Sequence, residues 1–134
     1  MITMYSTHRY CRYFSNAAAA LLLTGALFAA RRSVNIDIDA QGRFNYKDER
    51  NADATRVRAK RGDTVRFECR AGACTVDFGR RSPFSGSSFS AARGQGVEAA
   101  VRPNAEVGVY KYTVTVRNPG QPDKVQDPEV EIEP

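Results

Sequence analysis

The sequence predicts an all-β protein, a β-sandwich of about seven or eight short strands that follows an N-terminal segment of different composition. Three observations lead to this fold class. Several segments after residue 30 alternate apolar and polar residues with period two, and none has the period of an amphipathic helix. These segments are rich in β-branched and aromatic residues, which suit a pleated, half-buried surface. Glycines and prolines separate them at short intervals, as turns between strands require.

The first 30 residues predict a secretory signal peptide. They contain no Asp or Glu, and Arg9 and Arg12 precede an apolar run at residues 17–30. Basic, then apolar, then polar is the order found in secretory signals. The run is shorter than the roughly 20 residues that a membrane-spanning helix needs, so an uncleaved membrane anchor is the alternative. We therefore expect a single mature domain at residues 31–134 that is secreted or periplasmic.

The predicted strands follow one another closely along the mature chain. They are residues 34–39, 44–46, 57–59, 65–69, 74–78, 97–102, 108–116 and 129–133. The strand at 108–116 has the clearest pattern, since Tyr110, Tyr112, Val114 and Val116 share one face. Eight short strands and no helix predict two packed sheets.

The connections between these strands contain turn residues. Gly62 and Asp63 of an Arg-Gly-Asp tripeptide suit a tight turn between two strands, and an adhesion ligand is the alternative interpretation. The segment 79–96 is rich in Ser, Gly and Arg, and it is the longest stretch predicted to be irregular. We expect Phe84 and Phe89 to hold this segment against the core.

The net charge of +5 limits the choice of partners only weakly. Basic residues concentrate between Arg56 and Arg81, whereas acidic residues gather at the C-terminus. A solvated strand face is the plain interpretation of the basic run, and a polyanion-binding patch is the alternative. No nucleic-acid motif accompanies the charge, so the expected partner is a protein or an envelope component. A membrane contact is expected only through the N-terminal segment, if that segment is not cleaved.

The order of the motifs resembles the cupredoxin fold of plastocyanin- and azurin-like proteins. An alternating first strand is followed by V-x-A-K-x-G-D-T-V-x-F at 57–67, G-A-C-T-V-D-F at 72–78 and G-x-Y-K-Y-T-V-x-V at 108–116. The resemblance covers residues 34–132. It implies a cupredoxin-like Greek-key β-sandwich.

The same resemblance implies a copper site whose ligands are missing here. Copper-binding cupredoxins use two His, one Cys and usually a Met, a donor set that suits copper cycling between Cu(I) and Cu(II). In the matching stretches the first His falls at Cys74 and the Cys at Val114. The only histidine is His8 and the only methionines are Met1 and Met4, all within the predicted signal peptide. We therefore expect a domain with no blue-copper centre and no cofactor.

Two cysteines remain once Cys11 leaves with the signal peptide. Cys69 and Cys74 lie on adjacent predicted strands joined by a hairpin-like connection, where opposed Cα atoms lie about 4.5 Å apart. Disulfides accept Cα separations of about 4.4 to 6.8 Å, and an oxidising compartment favours them. A disulfide is the prediction. The alternatives are free thiols, a Cu(I) site made of the two thiolates, or a thiol-redox pair.

No catalytic residues are predicted. Cys–His catalysis is unavailable without a mature His, and the serines at 82–90 have no base partner. Most of the carboxylates that could pair as acid and base fall at outward strand positions or in turns, where we expect a carboxylate to be solvated: Asp37, Asp39, Asp63, Asp77 and Asp127.

The sequence is therefore interpreted as a binding or structural module and not as an enzyme. Its candidate contact surfaces are the 79–96 and 118–127 loops, because loops carry the variable contacts of such scaffolds. The candidate contact residues are Arg80, Arg81, Phe84, Phe89, Arg93, Asn118 and Lys124.

Overall fold

The computed structural model describes residues 29–134, which form eleven β-strands and no helix. The strands are β1 (Arg31–Ile38), β2 (Phe44–Lys47), β3 (Arg56–Lys60), β4 (Thr64–Cys69), β5 (Ala73–Asp77), β6 (Ser88–Ala91), β7 (Gly96–Ala100), β8 (Gly108–Lys111), β9 (Thr113–Arg117), β10 (Lys124–Gln126) and β11 (Glu129–Glu133). The all-β prediction is confirmed, but the predicted number of seven or eight strands is too low. Residues 1–28, which hold nearly all of the predicted signal peptide, lie outside the described part. Within the described part, no helix is long and apolar enough to cross a membrane.

The strands form three sheets whose order differs from the order along the chain. The sheets run β2-β1-β4-β7, β10-β9-β5-β6 and β3-β11-β8. β1 pairs in parallel with β4, and β11 pairs in parallel with β3, whereas every other pairing is antiparallel. Parallel neighbours cannot be joined by a tight hairpin, so the chain must cross between sheets to connect them.

The predicted strand at 108–116 is interrupted at Tyr112. Its first half, β8, pairs with β11, and its second half, β9, pairs with β5 and β10. This stretch of chain therefore links the second and third sheets. The predicted common face is confirmed, because Tyr110, Tyr112, Val114 and Val116 are all buried.

The core lies between the inner faces of the sheets. In β4, inward residues alternate with half-exposed ones, and Phe67 lies at the centre of the inward row. The Phe67 ring lies 5.4 Å from the ring of Tyr112 and 6.4 Å from that of Phe78, both outside its own sheet. Aromatic contacts of this kind join the first sheet to the other two and make the domain a sandwich.

The segment 79–96 is more regular than predicted. It contains β6, which pairs with β5 as a sheet edge, and a turn that leads into β7. Phe84 is only 2% exposed, and its ring packs against those of Phe78 at 5.0 Å and Phe89 at 6.1 Å. The expectation that Phe84 and Phe89 hold this segment on the core agrees with these contacts.

Candidate functional site

Cys69 and Cys74 form a disulfide between two sheets. Their Cα atoms lie 5.6 Å apart, and both residues are buried. The predicted hairpin is wrong, because β4 pairs only with β1 and β7, whereas β5 pairs with β6 and β9. Both cysteines lie on the inward faces of their strands, so the connection between them steps from one layer to the other. The bond therefore ties the layers together at one end of the sandwich, which we call the disulfide end.

The connection at residues 70–72 is closely fitted. The amide of Arg70 donates to the Ile36 carbonyl at 3.0 Å, and Asn118 Nδ2 donates to the Ala71 carbonyl at 3.0 Å. A Cβ added at Gly72 would lie 2.5 Å from Asn118 Oδ1 and 2.9 Å from the Arg117 carbonyl oxygen. Only glycine fits at position 72 without movement of its neighbours, so the geometry of the loop is fixed by packing.

The disulfide end does not hold the donor set of a blue-copper centre. Cys74 Sγ is bonded to Cys69, and Val114 has no donor atom. The two positions are not opposite one another, because Cys74 is paired with Val116 and Val114 with Val76. Among residues 29–134, no group of three or more His, Cys, Asp or Glu could hold a metal ion. The residues present therefore do not fit this cofactor.

A polar cleft of about 390 Å³ opens on the surface of the disulfide end. It brings together three of the predicted contact residues, Arg93, Asn118 and Lys124, beside Asp39. Lys124 Nζ donates to the Gly42 carbonyl at 3.3 Å, which fixes the 118–127 loop against the β1–β2 turn. The backbone amide of Arg43, which donates to the Asp39 carboxylate, holds the pKa of that carboxyl below its usual value.

Arg80 and Arg81 lie at the opposite end of the sandwich, which we call the arginine end. There they line a cleft of about 340 Å³ with Arg102 and Tyr110. The guanidinium of Arg81 lies over the Tyr110 ring, with Cζ 4.7 Å from the ring centroid. Five of the predicted contact residues are thus divided between the two ends. The other two, Phe84 and Phe89, lie in the core and at its margin.

Within residues 29–134, some arginines of the basic run between Arg56 and Arg81 form ion pairs, and others do not. Arg56 pairs with Glu129 at 2.6 Å, and Arg58 with Glu131 at 3.4 Å, because β3 lies beside β11. The acidic C-terminus therefore neutralises part of the basic run. By contrast, the ion pairs within the described residues include none of the three arginines that line the arginine-end cleft.

Sequence reasoning did not identify Arg102 and Tyr110 as members of this cleft. They come from a loop and a strand that are 20 or more residues from Arg80 in the sequence. No local pattern marks them. The pairing of β8 with β11 brings Tyr110 there, and hydrogen bonds from Arg102 to the Ser82 and Pro83 carbonyls bring Arg102 there.

Asp63 of the Arg-Gly-Asp tripeptide is buried, with 5% of its surface exposed. Its carboxylate accepts hydrogen bonds from the backbone amides of Ala30 at 2.9 Å and Lys60 at 2.8 Å. Gly62 has a φ of 85°, as the tight turn requires. The expectation that Asp63 is solvated was therefore wrong, because the turn folds this carboxylate back onto the amide of Lys60, at the end of β3, and onto that of Ala30, just before β1.

Comparison with known proteins gives little beyond this geometry. No family model matches the chain, and no curated protein matches it. The chain is similar to a solved structure of a pseudoazurin from Sinorhizobium, with 15% identity and a TM-score of 0.46 over 80% of this chain and 76% of that one. The fold described above is that of the chain's own strand order and pairing.

Proposed function

We propose that this protein is an exported, cupredoxin-like binding or structural module that has neither a copper centre nor catalytic activity. One observation supports this most directly. The Cys69–Cys74 disulfide uses the side chain at the position that the resemblance assigns to the first copper ligand. A cysteine sulfur in a disulfide is no longer a thiolate, and the thiolate is the form that binds metal.

The disulfide also supports export. Disulfides persist in oxidising compartments and are rare where cellular reductants keep thiols reduced. Residues 1–30 have the layout of a secretory signal, with two arginines, an apolar run and no acidic residue. The two features are independent of one another, and both favour a secreted or periplasmic protein.

A non-catalytic role is supported by the state of the reactive groups in the domain. Residues 29–134 contain no histidine, and both of their cysteines are oxidised. The one buried acidic residue among them, Asp63, is engaged by two backbone amides. The remaining conspicuous features are the two polar ends, which suit contact with a partner.

Copper uptake by the mature protein tests this proposal against its alternative, a Cu(I)-binding or thiol-redox protein that uses Cys69 and Cys74. Native mass spectra would be recorded with and without Cu(I), for the protein as isolated and after reduction. The matched control is the double variant Cys69→Ser/Cys74→Ser. We expect no copper adduct on the protein as isolated. One copper bound by the protein as isolated, and not by the double variant, would overturn the proposal and favour the alternative.

A further inference from the structure

Strand β8 ends the third sheet and leaves one of its edges open. It pairs only with β11, in a register that aligns Tyr110 with Val130. The amide of Tyr112 continues this ladder by donating to the Pro128 carbonyl at 3.1 Å. Hydrogen-bonded pairs alternate along antiparallel strands, so the amides and carbonyls of Val109 and Lys111 point away from β11. Among the residues that the structure describes, no strand pairs with β8 on that side.

The open edge is bordered by apolar surface. Within the described residues, only three large hydrophobic side chains are exposed, and two of them are Val107, 46% exposed, and Val109, 37% exposed. A groove of about 500 Å³ runs beside β8, and Phe78, Tyr110 and Val109 contribute to its lining. An exposed strand edge next to exposed apolar side chains is an attractive site for another strand.

Positive charge lies at the same place. Arg81 lines both the groove beside β8 and the arginine-end cleft, and its guanidinium is held over the Tyr110 ring. Arg102 is held by a hydrogen bond to the Ser82 carbonyl. Among residues 29–134, Glu106 is the only acidic residue that lines the arginine-end cleft. Two guanidiniums that are already oriented can bind carboxylates with little further loss of side-chain entropy.

We propose that the open edge of β8 binds an extended, acidic segment of a partner protein, which adds a strand to the third sheet. The main chain of that segment bonds to Val109 and Lys111, and its carboxylates bind Arg81 and Arg102. Strand addition of this kind uses main-chain hydrogen bonds for affinity and side-chain contacts for specificity. This inference rests on the proposed function and deepens it, because it names the surface and the class of partner.

Charge and strand pairing argue for this occupant over three others from the same chain. Edge-to-edge pairing of two copies through β8 would bring Lys111 and Arg81 of both copies close together, and like charges across strands are destabilising. The chain outside the described part, residues 1–28, contains no Asp or Glu. The acidic C-terminal segment already forms β11 on the other side of β8. A free polyanion would bind the arginines but would make no use of the strand edge or of Val107 and Val109.

The proposal can be tested by nuclear magnetic resonance with the full mature protein and a capped synthetic peptide, Glu-Glu-Val-Thr-Val-Thr. The control peptide replaces both Glu by Lys. We expect the acidic peptide to slow hydrogen exchange at the Val109 and Lys111 amides, since these are the donors that the added strand would cover. We expect the lysine peptide to leave both amides unchanged. No perturbation of these amides by the acidic peptide at millimolar concentration would overturn the proposal.

Two kinds of variant distinguish the contribution of the strand edge to peptide binding from the contribution of the positive charge. Val109→Pro removes an outward-pointing amide without removing a bond to β11, and proline is tolerated at such edge positions. We expect it to weaken peptide binding at least about tenfold, and we expect Arg81→Gln/Arg102→Gln to do the same. Arg50→Ala, which removes one charge from an exposed loop, is the control and leaves binding unchanged.

The two arginine substitutions lie outside the strand ladder, so they provide the test even if Val109→Pro does not fold. Unchanged affinity in the arginine double variant would contradict the proposal. The copper experiment is independent of this surface. If the peptide does not bind and no copper is taken up, the proposed function stands and only the β8 surface is rejected.

Discussion

The rings of Tyr110 and Tyr112 are both buried in the core, but among the described residues only the Tyr110 hydroxyl has a hydrogen-bond partner. The Tyr110 hydroxyl donates a hydrogen bond to the Glu106 carbonyl at 2.7 Å. The Tyr112 hydroxyl is buried and has no hydrogen-bond partner among the residues that the structure describes. A buried polar group without a partner loses its hydrogen bonds to water and forms none within the protein, which destabilises the folded state. These two residues therefore form a matched pair for measuring one hydrogen bond.

We predict opposite effects when the two hydroxyls are removed. Tyr112→Phe should raise the free energy of unfolding by about 1 kcal/mol, because it removes an unpaired polar group. Tyr110→Phe should lower it by about 1 kcal/mol, because the bond to Glu106 is lost. Urea unfolding at neutral pH measures both. A loss of stability in Tyr112→Phe equal to that in Tyr110→Phe would contradict the account of the core.

Burial of Tyr112 also predicts how the stability of the protein changes at alkaline pH. Burial raises the pKa of Tyr112 above its ordinary value of 10.0, and burial also raises that of Tyr46. A group whose pKa is raised by folding stabilises the protein fully below its unfolded pKa, and that stabilisation is lost as the pH rises above it. The free energy of unfolding should therefore fall above about pH 10. Tyr112→Phe should reduce this fall when urea midpoints are compared across the pH range, and an unchanged fall would contradict the prediction.

Loss of the disulfide should destabilise the domain moderately. Cys69 and Cys74 close a short loop, for which the chain-entropy model gives about 2 kcal/mol. Cys69→Ala/Cys74→Ala should lower the free energy of unfolding by about that amount. The control is reduction, which should destabilise the natural protein and leave the double variant unaffected. Equal stability of the oxidised protein and the double variant would show that the bond contributes nothing.

Gly72→Ala should destabilise the disulfide end through steric overlap. The new methyl group would meet Asn118 and the Arg117 carbonyl, and overpacking of this kind costs about 1 to 3 kcal/mol. Gly62→Ala is the contrasting variant, since no described residue beyond its two chain neighbours has an atom within 4 Å of its added Cβ and only its φ of 85° is unfavourable. In Gly72→Ala, but not in Gly62→Ala, the side-chain amide resonances of Asn118 should shift. An Asn118 spectrum unchanged by Gly72→Ala would contradict the close packing of this loop.

Asp63 should matter for stability rather than for adhesion. Asp63→Ala leaves two backbone amides without their acceptor and should cost about 2 kcal/mol. Asp123→Ala removes an exposed ion pair with Arg117 and should change stability by less than about 0.5 kcal/mol. Thermal unfolding of the two variants measures the difference. Equal effects would contradict the buried role of Asp63.

The sequence predicted strands where inward and outward residues alternate, and it missed strands that lack this pattern. β4, β9 and β11 each bury every second residue, so their period of two is visible in the sequence. β6 and β10 are short, polar edge strands that bury no residue fully. Their pairing with β5 and β9 depends on neighbours distant in the chain, which no local pattern reveals.

The candidate site shows the same limit. The disulfide followed from two cysteines in a predicted exported domain, and it is confirmed. The predicted hairpin was wrong, because spacing alone does not say whether a short connection stays within a sheet or crosses to the facing one. The contact loops were located in the sequence, but the end at which each contact residue lies depends on the sheet order. Arg93 joins Asn118 and Lys124 at the disulfide end, although Arg80 and Arg81 of the same loop lie at the arginine end.

The central claim is that Cys69 and Cys74 are joined in the mature protein, and intact mass measures this most directly. The protein isolated from its native compartment would be denatured without reductant, treated with iodoacetamide and weighed, and then treated again after reduction. Denaturation exposes any free thiol, so burial cannot hide one. We predict that the mature chain takes up no alkyl group before reduction and two after it. Two alkyl groups before reduction would mean free thiols, and would contradict both the disulfide and the function proposed from it.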